Sequence, residues 1–150
     1  MTNTDSVVAA PIDGPRIVRA DIVATAAFVL VTLVTSLVEN EITDLANLVV
    51  SAALFLGGCV AFGIGFVRAA NRSRTEVVDL AGLFYLTGSA PKPARRMLMG
   101  LWFAQIATAV VSVFTISPPF GVMAPVWGIG ILTLWSSRYA TFPKRPSAAR

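Results

Sequence analysis

The sequence has no histidine, a single cysteine and few charged residues. Charged residues make up 13% of the 150 positions, well below the roughly one quarter that is usual in soluble domains. Without histidine, the chain lacks the commonest general base and metal ligand. A lone Cys59 excludes an intramolecular disulfide, and its apolar surroundings disfavour a reactive thiolate. The composition therefore favours neither an enzyme nor a metal protein, and we expect no cofactor.

Apolar residues dominate instead, at 55% of the chain with a mean hydropathy of +0.73. They are concentrated in four runs, and about 20 apolar residues in a helix cross the ~30 Å hydrocarbon core of a bilayer. We therefore predict an all-α integral membrane protein with a membrane domain over residues 20–138. Its four spans are expected at about 20–38, 45–67, 97–116 and 122–137.

All twelve Lys and Arg residues lie in the termini or in the middle connection. The first connection is acidic, with Glu39, Glu41 and Asp44, and the third, residues 117–121, is uncharged. Because Lys and Arg accumulate in cytoplasmic loops, we expect both termini inside the cell and the spans paired as two antiparallel hairpins. The excess of Arg over Lys is typical of proteins from GC-rich bacterial genomes. We therefore expect the membrane to be a bacterial plasma membrane.

The two ends of the chain are predicted to lie outside the membrane. Residues 1–19 are polar and interrupted by proline, so we expect a flexible cytoplasmic tail. Residues 139–150 form a second cytoplasmic tail, which is basic and rich in proline. We interpret the first apolar run as an uncleaved span, because residues 22–38 exceed the usual apolar region of a signal peptide and no small-residue cleavage site follows.

The middle connection contains a segment that predicts a short amphipathic helix over about 74–87. Ser73 and Glu76 have the spacing of a capping box, which would begin a helix there. An apolar stripe follows at Val77, Leu80, Ala81 and Phe84. Such a helix is too short to span the membrane, so we expect it to lie flat at the cytoplasmic interface.

Small residues recur every four positions along the second span, which places them on one helix face. Small residues let two helices approach closely in lipid, and Ala124 and Gly128 offer a similar surface in the fourth span. The predicted row either seats another span of the same chain or docks a second copy or a partner protein. Its members are Ala53, Gly57, Ala61 and Gly65.

Polar candidates are few. Gln105 and Asn47 are the strongly polar residues inside spans, and we expect hydrogen bonds between helices from both. No ionisable residue is placed in a span away from its ends, which disfavours ion or proton transport. Four arginines at the inner ends of the spans are expected to contact lipid headgroups, although membrane orientation alone also explains them. They are Arg68, Arg72, Arg95 and Arg96.

The sequence thus predicts a non-enzymatic membrane protein, an accessory, assembly or scaffold subunit of a larger complex. Its expected partners are membrane lipids and either another membrane protein or a second copy. The alternative is a carrier of lipid or of a small hydrophobic molecule, which would bind between spans near Gln105 and the inner arginines. Nucleic acid is not expected as a partner, because orientation in the membrane accounts for the basic charge.

Overall fold

A computed structural model describes residues 13–38 and 40–145, and within these ranges the protein is built of helices. Four segments are long and apolar enough to cross a membrane. The helices are α1 (Pro15–Leu37), α2 (Glu41–Arg72), α3 (Leu80–Phe84), α4 (Lys92–Thr115) and α5 (Val126–Tyr139), with a 3₁₀ turn at Phe120–Met123 before α5.

Helices α1 and α2 run in opposite directions. The Thr35 hydroxyl donates to the carbonyl oxygen of Thr43 at 3.0 Å, and the Asn47 amide nitrogen donates to the Thr32 hydroxyl at 3.3 Å. The connection between the helices is short, and Asn40 caps α2 by accepting from the Thr43 amide. Glu41 and Asp44 lie in the first turn of α2, where negative charge interacts favourably with the helix dipole.

Helices α4 and α5 are also antiparallel. The Gly128 amide, near the start of α5, contacts Gln105 in the middle of α4. Gly121, in the 3₁₀ turn before α5, lies against Ser112 near the end of α4. We use the term basic end for the end of the bundle where α1 and α4 begin and where α2 and α5 finish.

Helix α5 forms the centre of the bundle, since it contacts each of the other four helices. In an apolar 18-residue window of the segment Phe120–Tyr139, 56% of the residues are buried, against 22% to 28% in the corresponding windows of the other three segments. Its closest packing is with α2, where Gly58 faces the backbone of Val126 and Gly65 faces that of Thr133. From the first of these contacts to the second, the chain advances seven residues on α2 and seven residues on α5. The two helices are therefore parallel.

Helix α2 has 32 residues, or about 48 Å at 1.5 Å per residue. It is therefore longer than a ~30 Å hydrocarbon core is thick. The predicted span ends at residue 67, whereas the helix continues to Arg72. This extension changes the middle connection. Ser73 terminates α2 and its hydroxyl donates to the Ala70 carbonyl, so Ser73 does not begin a new helix.

The prediction of a helix over 74–87 is wrong in extent, because only Leu80–Phe84 is helical. Its N-cap is Asp79, whose carboxylate accepts from the Gly82 amide at 2.9 Å. Glu76 cannot serve the predicted capping box because its carboxylate binds Arg72. Within α3, Leu83 is buried while Leu80 is largely exposed.

Residues 13–19 and 140–145 are part of the basic end. The last five residues of the predicted flexible tail, 15–19, are part of α1, and the Trp135 indole donates to the carbonyl of Asp13 at 2.7 Å. Residues 140–145 lie on the middle connection, with Val77 bonded to Pro143 and Thr141 to Ser89 through backbone atoms. Residues 1–12, 39 and 146–150 lie outside the described residues.

Candidate functional site

Gln105 is at the centre of a hydrogen-bond cluster that joins α1, α4 and α5. Its side chain is fully buried. The amide nitrogen donates to the Thr25 hydroxyl at 2.7 Å and to Oδ1 of Asp21 at 3.2 Å, and the amide oxygen accepts from the Gly128 backbone at 3.1 Å. Both N–H donors of Gln105 are therefore used within the protein. We call this cluster, with Trp127, the polar junction.

Asp21 is the residue of the polar junction that sequence analysis missed. Because α1 begins at Pro15, Asp21 lies about 9 Å inside the helix, and its exposed fraction is 1%. Its Oδ1 accepts from the Trp127 indole at 3.1 Å as well as from Gln105. The prediction that ionisable residues lie only at the ends of the spans therefore missed the burial of this carboxyl group between helices.

The reason for this error is that the apolar run begins after Arg19, whereas the helix begins earlier, at a proline that suits its first turn. A periodic signal was nevertheless present in the sequence. The buried face of α1 carries polar residues at helical spacing, and hydroxyls on one face of a span predict contact with another helix. These residues are Asp21, Thr25, Thr32 and Thr35.

The hydrogen-bond partners of Asp21 are uncharged, which is unusual for a carboxyl group inside a span. Ionisable residues in membrane helices face the bundle interior and find polar partners there. Here the side-chain N–H groups of Gln105 in α4 and Trp127 in α5 both donate to Oδ1 of Asp21. The arrangement fixes three helices relative to one another, and its burial leaves no open site for a ligand.

Asn47 belongs to a second buried contact, closer to the opposite end of the bundle. Asn47 and Ser51 lie one helical turn apart on α2, and both are fully buried. The Asn47 amide binds Thr32, while its Oδ1 and the Ser51 hydroxyl have no partner in the described protein. The structure therefore does not bring Asn47 and Gln105 together into one site.

The predicted row of small residues is divided between two environments. Gly65 packs against α5, where an added Cβ would lie 2.7 Å from the Thr133 carbonyl carbon, and Ala61 is buried. Gly57 is partly buried against Trp127, and Ala53 is exposed. Gly57 thus contacts only a side chain of α5, and the residue that continues the contact with the α5 backbone is Gly58, which was not predicted.

The two small residues predicted in the fourth span are both buried. Ala124 packs in an apolar cluster with Phe28, Leu54 and Ala109. Gly128 lies at the polar junction, where a side chain would collide with Trp102 and Gln105. Close helix approach at both positions thus occurs within the chain.

An apolar groove of about 340 Å³ runs between α1 and α2. We call it the α1–α2 groove. It lies nearer the basic end than the contacts between Thr32 and Asn47 and between Thr35 and Thr43. Its only charged lining residue is Arg16. One wall is formed by Arg16, Ile17 and Ala20, the other by Gly57, Val60, Ala61 and Ile64, and the floor by Trp127, Ile131 and Leu134.

Arg72 is committed to contacts within the protein. Its guanidinium binds the Glu76 carboxylate at 2.6 Å and 3.0 Å, and donates to the carbonyl oxygens of Ser137 and Ala140 at 3.0 Å each. It also lies over the Phe142 ring, 5.2 Å from the centroid. Arg72 thus joins the end of α2 to the C-terminal segment, which is a different role from the predicted headgroup contact.

The other three predicted arginines are exposed. Arg68 lies on α2, apart from the pair Arg95 and Arg96 at the start of α4. Arg95 and Arg96 line a cleft of about 400 Å³ with Lys92, Met99 and Phe103. The Arg95 Nε atom donates to the carbonyl of Tyr85 at 3.1 Å, which orients the side chain beside α3.

Within residues 13–38 and 40–145, no group of three or more His, Cys, Asp or Glu side chains is arranged to hold a metal ion. The protein belongs to the class of helical proteins with four segments that are long and apolar enough to span a membrane. Comparison with known proteins gives no match to a family model, to a curated protein or to a solved structure. We therefore infer function from the residues and contacts described above.

Proposed function

We propose that this protein is a non-enzymatic multi-pass protein of the bacterial plasma membrane and serves as an accessory, assembly or scaffold subunit of a larger membrane complex. The observation that carries this proposal is the α1–α2 groove, an apolar surface that the described chain leaves open. Its occupant is a transmembrane helix, supplied by a partner membrane protein or by a second copy.

The walls of the groove have the chemistry that helices use to associate in lipid. Helix association there depends on close packing, because lipid tails are as apolar as the side chains. Gly57 is partly exposed and has no side chain, so a second backbone can approach this wall there, whereas Ala61 beside it is buried within the protein. Val60 and Ile64 are 63% and 44% exposed, so they offer apolar contact area that a docked helix would cover.

The groove is also held in shape before any partner arrives. Its floor belongs to α5, which packs against α2 at Gly58 and Gly65. Trp127, part of that floor, donates to Asp21 in α1. Because the three helices around the groove are joined in this way, docking requires little reordering of the protein, which favours binding.

We place both termini and the middle connection in the cytoplasm. The support is the distribution of charge, with the basic residues of the described ranges at one end of the bundle and Glu41 and Asp44 at the other. Single cysteines at Ile42 and Thr87 in a Cys59→Ala background test this orientation, since both positions are exposed. On intact cells an impermeant thiol reagent should label position 42 and not position 87, and the reverse pattern would contradict the orientation.

The carrier alternative has less support from the geometry. Gln105 is fully buried and both of its N–H donors are bonded to α1. Arg95 and Arg96 line a cleft that does not include Gln105. A ligand held jointly by Gln105 and these arginines would require the polar junction to open, whereas a docked helix requires no such change.

A photo-crosslinking amino acid at position 60 tests the docking proposal in native membranes. The matched control is position 67, because Val67 is also on α2 and is 60% exposed but does not line the groove. We expect a protein adduct from position 60 and much less from position 67. Mass spectrometry then identifies the adduct as a partner protein or a second copy.

Two other outcomes would overturn the proposal. Equal protein adducts from both positions would indicate random collisions on the surface of α2. Lipid adducts alone from both positions would indicate that the groove is filled by lipid, and the assignment of a partner helix would then be wrong.

A further inference from the structure

The first turns of α4 carry a continuous stripe that changes from cationic to apolar. Lys92, Arg96, Met99 and Phe103 follow each other at intervals of three or four positions. Arg95 lies three positions from Lys92 and four from Met99, so the five residues share one helix face. The cleft that they line has a volume of about 400 Å³. In chain order they are Lys92, Arg95, Arg96, Met99 and Phe103.

The cationic part of this stripe has no counter-charge in the described protein. Arg72 and Glu76 form the only ion pair within residues 13–38 and 40–145, so Lys92, Arg95 and Arg96 are not paired there. Three exposed like charges within two turns repel one another, and an anion between them would relieve that repulsion. Arg95 is further oriented by its bond to the Tyr85 carbonyl, which uses Nε and leaves its two terminal nitrogens.

The apolar part of the stripe lies further from the basic end than the cationic part. Phe103 is seven residues beyond Arg96, or about 10 Å along the helix axis, and it is 57% exposed. Met99 lies between them and is partly buried. A ligand that fills the whole cleft therefore has an anionic end and an apolar end in this order and at this separation.

From this geometry we infer that the cleft binds one anionic glycerophospholipid. The phosphate lies among Lys92, Arg95 and Arg96, and an acyl chain lies along Met99 and Phe103. A soluble phosphate compound would satisfy the three cations and leave the apolar half of the cleft empty. The site is separate from the α1–α2 groove, so this inference and the docking proposal can fail independently.

Native mass spectrometry of the full-length protein tests the site with phosphatidylglycerol and phosphatidylcholine added in equal amounts. We expect the wild type to retain one phosphatidylglycerol in preference to phosphatidylcholine. The triple variant Lys92→Gln/Arg95→Gln/Arg96→Gln should lose this preference by about tenfold or more, given the contribution of each basic residue near an anionic headgroup.

The matched control removes the same charge elsewhere at the basic end. Arg68, Arg74 and Lys144 are exposed and lie outside the cleft, so Arg68→Gln/Arg74→Gln/Lys144→Gln should keep the preference. Equal loss in the two triple variants would show diffuse attraction to anionic lipid and would overturn the inference. A wild type that retains both lipids equally would overturn it as well.

Two further measurements separate a lipid from a free phosphate compound. Phe103→Ser should weaken retention of phosphatidylglycerol, because it removes apolar contact without changing charge. Glycerol 3-phosphate, which has the charged group without acyl chains, should fail to displace the lipid. If glycerol 3-phosphate displaces it as effectively as added phosphatidylglycerol does, the site binds a phosphate group alone and the lipid assignment is wrong.

Discussion

The polar junction and the α1–α2 groove lie side by side, share Trp127 and differ in every other respect. In the junction, Gln105 bonds to both Asp21 and the Gly128 amide, and these buried contacts exclude a ligand. In the groove, apolar side chains remain uncovered by the described chain. Directional contacts between helices are thus concentrated inside the bundle, while the surface left for association is apolar.

This difference separates two roles within one small helical protein. Polar contacts fix how its helices pack, and an apolar surface is left for association with another helix. Polar contacts inside a bilayer have no water to compete with and set the register of the helices. Apolar surfaces have no comparable specificity, so their use depends on shape and on close approach at small residues.

The largest effect is expected where α5 meets α2 with backbone against backbone. A Cβ at position 58 would lie 2.5 Å from the Val126 carbonyl oxygen. Gly58→Leu should therefore lower the free energy of unfolding by about 3 kcal/mol, measured by circular dichroism during denaturation in SDS. Gly63→Leu is the control, since nothing lies within 4 Å of that position, and equal effects would mean that α5 does not occupy this contact.

The second effect concerns the centre of the polar junction. Gln105→Leu removes the hydrogen bonds to Asp21, Thr25 and the Gly128 amide, so we expect the free energy of unfolding to fall by about 2 kcal/mol. Thr108→Val on the same helix removes only a bond to the Ala104 carbonyl and should cost about 0.5 kcal/mol.

A double-mutant cycle shows whether the junction acts as a unit. Asp21→Leu combined with Gln105→Leu should destabilise the protein less than the sum of the single changes, because each single change leaves a buried group unpaired. Strict additivity would indicate that Asp21 and Gln105 do not interact in the membrane.

A smaller loss of stability is expected on substitution of Arg72, whose guanidinium is bonded within the protein at the basic end. Arg72→Gln removes the ion pair with Glu76 and the bonds to Ser137 and Ala140, and because the pair is partly exposed we expect about 1 kcal/mol. Hydrogen exchange at the Val77, Thr141 and Arg145 amides should accelerate, since these amides hold residues 140–145 in place. Arg74→Gln should leave their exchange rates unchanged, and a similar acceleration there would argue against a specific role of Arg72.

Hydropathy and the spacing of polar residues were sufficient to predict four helical spans and the interhelical role of Gln105. Helices extend through such runs because every backbone group must be hydrogen-bonded in lipid. The helix at 74–87 was mispredicted for a local reason, since Arg72 competes for the carboxylate of Glu76. No property of residues 73–76 taken alone reveals that α2 continues to this point.

The position of Asp21 could not be derived from a hydropathy boundary. An acidic residue at the edge of an apolar run is normally assigned to the aqueous side, and its burial depends on Gln105 and Trp127, which are 84 and 106 residues away. The small residues show the same limitation. Spacing identifies a face of α2, whereas the choice between Gly57 and Gly58 as the site of contact with the α5 backbone depends on the rotation of two packed helices.

The smallest effect on stability is expected in the groove itself. Val60→Trp places a large side chain where the described chain leaves open space, so it should change the free energy of unfolding by less than about 0.5 kcal/mol, as a surface substitution does. Val67→Trp, outside the groove, should behave alike. If Val60→Trp alone destabilised the purified protein by 1 kcal/mol or more, the groove would be closed and unable to accept a helix. If both variants fold normally and only Val60→Trp loses its partner in native membranes, the loss must arise from blocked docking rather than from misfolding.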